Sequence, residues 1–265
     1  MNLAGRSVLL TGATGGIGHA LARRLTSAGA TLTITGRRAD RLDALAAELG
    51  PETRTLAVDL VDPDAVAGLA ATCADVDVLV ANAGLPAAGH LLSFSVDELD
   101  RALAVNLRAP MVLARLLGER MAERRSGHLV FISSLAGKVG SGWGSVYSAT
   151  KFGLRGFAHG LREDLAPSGV GVSVVLPGFV REAGMFHESG TRLPRGVGTS
   201  RPGDVADAVV RVIERNRAEL DVAPIALRVG ANVGALVPGL TEVVMSRLGG
   251  AKVARQLADG QRAKR

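Results

Sequence analysis

Short apolar runs alternate along this chain with longer stretches in which apolar residues recur at helical spacing. Each apolar run has the length of a buried strand. The predicted strands are 7–11, 31–35, 55–60, 76–80, 128–134 and 170–176, and the helical stretches between them include 39–49, 62–74 and about 95–124. Such alternation is typical of a parallel sheet covered by helices. The pattern predicts an α/β fold in one domain, a doubly wound parallel sheet of about seven strands with helices on both faces.

A glycine-rich turn follows the first predicted strand and precedes the first helix. It reads Gly12-Ala13-Thr14-Gly15-Gly16-Ile17-Gly18, and the helical stretch continues from His19. Glycines let the backbone turn tightly and let a pyrophosphate approach, while the helix N-terminus offers unpaired N–H groups and a partial positive charge. A flexible turn is the alternative, but the strand and helix on either side favour a dinucleotide-binding loop.

Two arginines follow the second predicted strand. In a dinucleotide-binding sheet this strand end faces the adenosine ribose, where an acidic residue binds the 2′-hydroxyl and an arginine suits a 2′-phosphate. This chain has Gly36, Arg37 and Arg38 there. We therefore expect NADP(H) to be favoured over NAD(H), with Arg37 as the first phosphate ligand and Arg38 as the second. The alternative is that both arginines only start a solvated helix.

Several polar or glycine positions fall at the C-terminal ends of the predicted strands. They are Gly12, Arg37, Asp59 and Asn82. Ligands of open parallel sheets bind beyond these ends, so the shared placement predicts one binding crevice.

The single tyrosine of the chain, Tyr147, is followed four residues later by Lys151. Residues four apart on a helix share a face, so both side chains point the same way. A phenol normally keeps its proton until about pH 10, and a neighbouring ammonium lowers that pKa. Such a pair can act as a general acid/base near neutral pH. The alternative is a tyrosine and a lysine that share a helix by accident.

Further polar residues stand in or beside apolar segments. Asn106 lies between Val105 and Leu107 in the long helical stretch, where an unpaired amide is costly to bury. It either satisfies a nearby carbonyl or holds a water or a local distortion at an active site. The fifth predicted strand ends in two hydroxyls, Ser133 and Ser134.

In this order, the motifs resemble those of the classical short-chain dehydrogenases/reductases, over roughly residues 5–215. The resemblance implies a Rossmann-type fold and a catalytic tetrad of Asn106, Ser134, Tyr147 and Lys151. Ser134 is preferred to Ser133 because it lies thirteen residues before the tyrosine, the family's usual spacing. The implied cofactor contacts are Gly12, Thr14, Gly15, Gly16, Ile17, Gly18, Arg37, Arg38, Asp59, Leu60, Asn82, Ala83, Gly84, Tyr147, Lys151, Pro177, Gly178 and Val180.

The resemblance also implies roles for the tetrad. Ser134 would hydrogen-bond the substrate oxygen, Tyr147 would give or take its proton, and Lys151 would lower the tyrosine pKa and bind the nicotinamide ribose. Asn106 would hold a water in a proton relay. The implied substrate is an apolar small molecule with a carbonyl or secondary alcohol group, and the hydride belongs to the cofactor. One departure is Glu182, four residues after the Pro-Gly turn, where the family often has threonine.

Composition narrows the class of protein. Hydrophobic residues make up 47% of the 265 residues, enough for a substantial core, and the single cysteine excludes an intrachain disulfide and favours a reducing compartment. The net charge of +6 is scattered apart from the C-terminal end, with no basic stripe of interleaved aromatics, so we expect no nucleic-acid partner. The first apolar run is too short for a signal peptide, and no run reaches the ~18 residues of a membrane span. We expect a cytoplasmic protein.

Residues 181–200 are expected, from the resemblance, to form a substrate lid. The stretch is loop-like and contains Met185, Phe186 and His187. Met185 and Phe186 either line an apolar site or belong to the core. His187 is expected on the surface, because the tetrad already supplies the proton chemistry.

Residues 220–265 are expected to form a substrate-pocket or oligomer segment with a basic tail, solvated from Gln256 on. Within it, the apolar stretch 222–238 has three interpretations: a final strand with a pocket wall, a contact with another subunit, or a contact with a membrane surface. The first two are favoured. Because the long helices around Asn106 and Tyr147 form the dimer interface of relatives, the resemblance implies a homodimer or homotetramer.

Three other functions are weighed against a carbonyl reductase or alcohol dehydrogenase. A dinucleotide-binding sensor without turnover is disfavoured because Ser134, Tyr147 and Lys151 are all present. A sugar-nucleotide epimerase or dehydratase is disfavoured because few residues follow Pro177. A membrane-surface lipid or steroid reductase differs from the leading hypothesis in location.

Overall fold

Parallel strands form one sheet at the centre of the molecule. In this computed structural model, which describes residues 1–194, 197–237, 239 and 250–264, seven strands lie in the order β3-β2-β1-β4-β5-β6-β7. Their bounds are β1 Ser7–Thr11, β2 Thr31–Gly36, β3 Arg54–Ala57, β4 Val78–Ala81, β5 His128–Ile132, β6 Gly171–Pro177 and β7 Glu219–Val222. Every pairing is parallel. The predicted fold class is confirmed.

Helices cover both faces of the sheet. Their bounds are α1 Gly16–Ser27, α2 Ala39–Leu49, α3 Pro63–Thr72, α4 Val96–Leu103, α5 Ala109–Glu123, α6 Ser145–Leu165, α7 Gly184–Glu188, α8 Pro202–Arg215, α9 Ile225–Leu236 and α10 Gly250–Gln261. Successive strand residues point to opposite faces. Leu10 therefore packs in a core with residues of α1 and α8, while Leu9 packs in a second core with residues of α3 and α5.

The strand order reverses between β1 and β4. The chain moves outward from β1 through β2 to β3, and then returns to place β4 on the other side of β1. At such a reversal the connections leave the sheet in opposite directions, so a crevice opens at the C-terminal strand ends. The strand-end residues from which a crevice is predicted stand at this edge of the sheet.

The long helical stretch predicted from Ser95 to about Arg124 is divided by a distortion. The predicted capping box starts α4, because Ser95 Oγ accepts from Glu98 N at 3.1 Å and Glu98 Oε2 accepts from Ser95 N at 2.8 Å. A π-helical turn, Ala104–Arg108, separates α4 from α5 and contains Asn106. Such turns are frequent at functional sites.

The third strand is shorter than predicted. It ends at Ala57 rather than Leu60, so Asp59 lies in the following turn. The Asp59 carboxylate accepts from Val61 N at 3.1 Å, and this local side-chain bond competes with extension of the strand.

In the first interpretation of 222–238, a final strand with a pocket wall, the strand is wrong and the pocket wall remains a prediction. β7 ends at Val222, where that stretch begins, and α9 starts directly after Pro224. The apolar side chains repeat every three or four residues, a helical spacing within an apolar run. On α9 the exposed apolar side chains include Ile225, Val229, Val233 and Leu236. Contacts with another subunit or with a membrane remain predictions.

The expectation of a solvated tail from Gln256 is also wrong. α10 packs on the predicted lid: Ala258 and Gln261 are buried, and Gln261 Nε2 donates to the Met185 carbonyl at 3.2 Å. Parts of the predicted lid and C-terminal segment, residues 195–196, 238, 240–249 and 265, lie outside the described residues. None of the helices described combines the length and apolar character needed to cross a bilayer.

One buried histidine, His128, stands at the start of β5. Its Nε2 lies 2.8 Å from Ser173 Oγ, and this hydroxyl in turn donates to the Arg217 carbonyl at 2.6 Å. The serine hydroxyl is therefore left to accept a hydrogen bond from the His128 Nε2–H. Burial lowers the pKa of His128 to about 3, because a charged ring would lose its hydration.

We expect His128 to make the unfolding free energy fall as pH drops below 6.5. The unfolded chain binds a proton there that the folded chain does not, and a difference of about three pKa units corresponds to about 4 kcal/mol once pH reaches 3. The window from pH 6.5 to about 5 lies above carboxylate titration. Denaturant unfolding across that window should show a flatter pH dependence in His128→Gln. The exposed His187→Gln variant is the control, and an unchanged slope in His128→Gln would contradict the assignment.

Candidate active site

The floor of the crevice is formed where β1 and β4 end. Gly12 has φ +67°, and a Cβ there would lie 2.7 Å from the Ala83 Cα, so a side chain does not fit. Asn82 Nδ2 donates to the carbonyls of Thr11 at 3.0 Å and Gly12 at 3.1 Å. Thr11 Oγ1 accepts from Asn82 N at 3.1 Å and from Ala83 N at 3.0 Å. These bonds tie the two strand ends together under the glycine turn.

The glycine turn supplies no side chain that caps the N-terminus of α1. α1 starts at Gly16, and its N-cap, Gly15, supplies no capping side chain. A Cβ on Gly18 would lie 2.2 Å from the Gly12 carbonyl oxygen, so the first turn of the helix packs directly on the strand end. A Cβ on Gly15 would meet nothing closer than 3.5 Å. The backbone amides at this end of α1 are available to an anionic group.

The two predicted phosphate ligands stand at the end of β2. Arg37 and Arg38 are both exposed, directly before α2. Gly36 precedes them, and a Cβ at that position would lie 3.1 Å from Thr14 Oγ1. The end of β2 therefore borders the glycine turn, as the sequence predicts. Asp59 is exposed beyond β3, and Leu60 is buried beside it.

Asn106 bonds both backbone groups of Leu85, and its Nδ2 also lies 3.5 Å from Thr150 Oγ1. Its Oδ1 accepts from Leu85 N at 2.6 Å, and its Nδ2 donates to the Leu85 carbonyl at 3.0 Å. The side chain is 1% exposed. The sequence left several interpretations of Asn106 open, and two of them describe it here. The side chain satisfies a nearby carbonyl, and the residue stands in a local distortion, the π-helical turn.

Tyr147 and Lys151 share one face of α6, as their spacing predicts. The Lys151 ammonium lies 5.6 Å from the centre of the tyrosine ring and donates to the Ile132 carbonyl at 3.0 Å. Burial raises the pKa of Tyr147 and the Ser134 side chain opposes that rise, so Ser134 lies near the phenol. Gly84 lies on the other side of Lys151, because a Cβ there would be 3.8 Å from Lys151 Nζ and 3.4 Å from Asn106 Oδ1. The four predicted tetrad residues therefore lie in one place.

The two serines at the end of β5 point in different directions. Ser133 is buried and donates to the Lys151 carbonyl at 2.9 Å. Ser134 is half-buried, accepts from Ala136 N at 3.1 Å and lies 3.4 Å from the Pro177 carbonyl. Of the two, Ser134 is the one whose side chain opposes the burial-driven rise in the pKa of Tyr147, and its catalytic role stays a prediction.

Burial dominates the electrostatics of this cluster. It raises the pKa of Tyr147, and the hydrogen bond from Ser134 opposes that rise. Burial also lowers the pKa of Lys151 to about 8. The structure therefore does not show the lowering of the tyrosine pKa by Lys151 that the spacing predicts, because loss of hydration disfavours both charged forms.

The remaining predicted cofactor residues lie at the end of β6. Gly178 donates its N–H to the Val222 carbonyl at 3.0 Å, and Val180 forms a bridge with Ser200. Glu182, the departure from the family pattern, has φ +72° and pairs with the Arg181 guanidinium at 3.0 Å. Its carboxylate is therefore engaged at the base of the lid.

The lid lies directly on the glycine turn. A Cβ on Gly16 would clash with the Ala183 Cβ at 2.1 Å, and a Cβ on Gly84 would lie 3.4 Å from Met185 Cε. Phe186 packs instead against the ring of Phe179, with centroids 5.0 Å apart. Met185 faces the crevice, while Phe186 packs on Phe179. The sequence left the same two alternatives open for Met185 and Phe186, and the structure gives the two side chains different surroundings.

Sequence reasoning missed Trp143, in the loop before α6. Its ring lies edge-on to His90 at 5.5 Å, and the Arg255 guanidinium of α10 lies 5.5 Å above it. It has φ +62°, which is unusual for a bulky residue. The signal available in the sequence was that Trp143 is the single tryptophan and stands four residues before the single tyrosine.

Comparison with known proteins gives a consistent result. The family model described as short chain dehydrogenase matches residues 6–193. Ketoacyl reductase HetN of Nostoc sp. is 37% identical over 228 residues, which cover 83% of this chain and 79% of the relative. The 3-oxoacyl-(acyl-carrier-protein) reductase FabG of Rickettsia bellii is 31% identical over 216 residues, covering 79% and 89%. The solved structure of a short-chain dehydrogenase from Sphingobium yanoikuyae in complex with NADPH matches with a TM-score of 0.78 and 29% identity, covering 89% of this chain and 95% of that chain.

We expect Lys151→Met to stabilise the protein measured without added dinucleotide. Burial of the wild-type ammonium, whose pKa falls from 10.5 to about 8, costs about 3 kcal/mol at neutral pH. The lost bond to Ile132 offsets about 1 kcal/mol, leaving a gain of about 2 kcal/mol at pH 7. The folded pKa is depressed, so this gain should shrink as pH rises from 8 to 10.5. Denaturant unfolding over that range measures it, with the exposed Arg115→Met variant as the control. A less stable Lys151→Met protein at pH 7 would contradict the expectation.

Proposed function

Because the chain belongs to the short-chain dehydrogenase family and is an oxidoreductase of that family, we propose that it interconverts a carbonyl group and a secondary alcohol on an apolar small molecule. This proposal rests on the cluster of Ser134, Tyr147 and Lys151 beside the glycine-lined crevice. Family members bind an NAD(P) cofactor, which supplies or accepts the hydride.

The residues of the crevice fit such a cofactor. The uncapped amides of α1 suit a pyrophosphate, and the glycines of the turn leave room for it to approach. Asp59 stands where the resemblance expects a contact with the adenine, and Pro177 and Gly178 where it expects the nicotinamide. Lys151, whose ammonium lies 3.8 Å from a Cβ position on Gly84, would bind the nicotinamide ribose.

Within the reaction, the two hydroxyls act on one oxygen atom of the substrate. Because the Ser134 side chain lies near the Tyr147 phenol, a carbonyl oxygen placed between the two hydroxyls would accept from both. In carbonyl reduction Tyr147 donates its proton to that oxygen, and in alcohol oxidation it removes the proton. A raised pKa keeps the phenol protonated at neutral pH, which favours the role of proton donor.

Asn106 would act mainly by positioning. Both polar atoms of its amide are engaged with Leu85, two residues after Ala83 at the crevice floor. These contacts favour an amide that fixes the loop and the π-helical turn over one that holds a relay water directly.

The neighbouring proteins support an activity on ketones of extended chains. The relatives named above include a ketoacyl reductase and a 3-oxoacyl-(acyl-carrier-protein) reductase. Met185 supplies an apolar contact at the edge of the crevice. We therefore place 3-ketoacyl thioesters first in a panel of substrates that also contains simple ketones, aldehydes and steroids. Turnover of each substrate is measured by the change in absorbance of NADPH or NADH.

We also propose a homodimer or homotetramer, in line with the oligomers typical of the family. Apolar side chains are exposed on α5 and α6, the helices around the candidate tetrad. They include Met111, Leu116 and Phe152. Exposed apolar surface of this kind is typical of a subunit interface.

We expect Tyr147→Phe to lower kcat/KM by about 10²- to 10⁴-fold, the usual contribution of a general acid/base. The dinucleotide Kd should change by less than about 3-fold, since the phenol hydroxyl is directed at the substrate oxygen. Steady-state rates with NADPH and equilibrium titration of the dinucleotide measure the two effects. Ser145→Ala, at an exposed position in the first turn of α6, is the control. Full turnover in the phenylalanine variant would refute the proposed function.

We expect Arg37→Ala to raise the Kd for NADPH by about 10-fold and to leave the Kd for NADH nearly unchanged. An exposed guanidinium at the end of β2 can pair with a 2′-phosphate, a contact that a hydroxyl cannot replace. Parallel titrations with both dinucleotides give the selectivity directly. Arg41→Ala, also exposed and one helical turn away, is the matched control. Equal weakening for both dinucleotides would rule out a phosphate-specific contact.

A further inference from the structure

The loop that carries Ser134 is anchored by a buried lysine. Ser134 begins a single 3₁₀ turn, Leu135–Gly137, and Lys138 follows directly. Lys138 is 5% exposed, although a lysine ammonium normally stays in water. The turn and its lysine form one rigid piece, since Lys138 N donates to the Leu135 carbonyl at 2.9 Å.

Three acceptors surround the Lys138 ammonium. It lies 2.7 Å from Glu219 Oε1 and 2.7 Å from Asp221 Oδ1, both on β7. It also donates to Asn232 Oδ1 on α9 at 2.9 Å. An ammonium has three N–H groups, so the cage satisfies all of them and compensates the buried charge.

Glu219 also binds the helix that carries Tyr147. Its Oε2 lies 2.6 Å from Arg155 Nε and 2.8 Å from His159 Nε2. Arg155 and His159 follow Lys151 at intervals of four residues, so they continue the stripe of α6 that begins with Tyr147. The same carboxylate thus holds the loop of Ser134 on one oxygen and α6 on the other.

These contacts close a ring around the candidate site. The Ser134 side chain lies near Tyr147 and opposes the rise that burial causes in the phenol pKa. The two residues are also joined through Lys138, Glu219 and Arg155. On its inner side the 3₁₀ turn touches α6, because a Cβ on Gly137 would lie 2.7 Å from the Lys151 carbonyl oxygen. The turn is therefore clamped between α6 and β7.

We propose that Lys138 is a positioning residue for the reaction: by binding Glu219 and Asp221 it holds the Ser134 turn against α6 and keeps the Ser134 hydroxyl on Tyr147. This inference rests on the proposed function, because it concerns the same pair of hydroxyls. It assigns to β7, which lies outside the crevice, a role in the geometry of proton transfer.

The single tyrosine allows a test that does not depend on activity. The phenolate absorbance of Tyr147 can be titrated without interference from another tyrosine. Burial raises the pKa of Tyr147 and the Ser134 side chain opposes that rise, while the Lys151 ammonium lies 5.6 Å from the ring centre. Ser134→Ala should therefore raise the observed pKa, and Lys138→Met should raise it in the same direction. In the Ser134→Ala background Lys138→Met should add little, because the bond it supports is already gone.

Kinetics give the second readout. Lys138→Met should lower kcat by about 10- to 100-fold, the scale expected for a misplaced catalytic group, and leave the dinucleotide Kd unchanged. In the Ser134→Ala background the same substitution should lower kcat by less than about 2-fold. Lys138→Arg, which keeps the charge, should recover part of the rate. Arg115→Met removes an exposed ion pair and serves as the control.

The outcomes separate this inference from the proposed function. A folded Lys138→Met protein with an unchanged tyrosine pKa, or an equal loss of kcat in both backgrounds, would overturn the positioning role. If Lys138→Met does not fold, Asn232→Ala takes its place in the same cycle, with a smaller shift expected in the same direction and no shift counting against the proposal. If the parent protein turns over no substrate, the proposed function fails, while the titration of Tyr147 still decides the role of Lys138.

Discussion

The backbones of Gly12 and Ala83 meet at the point where the strand order reverses, and the site is arranged around that contact. A side chain at Gly12 would overlap the Ala83 Cα, and Asn82 and Thr11 fasten the two strand ends with four hydrogen bonds. Neighbouring strands lie about 4.8 Å apart, and this spacing fixes how far the end of each further strand lies from the crevice floor. The same spacing sets the distance from the crevice floor to the arginines after β2 and to the hydroxyls after β5.

Two buried lysines in this structure are held in opposite ways. Lys138 has two carboxylates and an amide oxygen around it, so its charge is compensated. Lys151 has a carbonyl and the face of the tyrosine ring, and its pKa falls to about 8. The first arrangement is that of a structural anchor, while the second leaves an ammonium whose charge is costly to bury. Groups perturbed in this second way concentrate at functional sites, where stability is lower than packing alone would allow.

The far end of the chain contributes more to the site than its sequence suggests. α10 reaches the lid through the Gln261–Met185 bond, and a Cβ on Gly260 would lie 2.2 Å from the Ser189 carbonyl oxygen. Arg255 covers the ring of Trp143 from the same helix. Basic and small residues dominate this segment, so its sequence resembles a solvated end. What buries it is contact with residues some 70 positions earlier, and no local pattern records that contact.

The amino-acid sequence by itself determined the alternation of strand and helix, the glycine turn and the spacing of Tyr147 and Lys151, because periodicity and spacing are properties of neighbouring residues. Only the tertiary structure decided that the pKa of Tyr147 is raised, that Asn106 binds Leu85, and that β7 and α9 enclose Lys138. Each of these depends on burial or on a partner far along the chain. A pKa follows the local dielectric and the nearest charges, and the fold is what sets both.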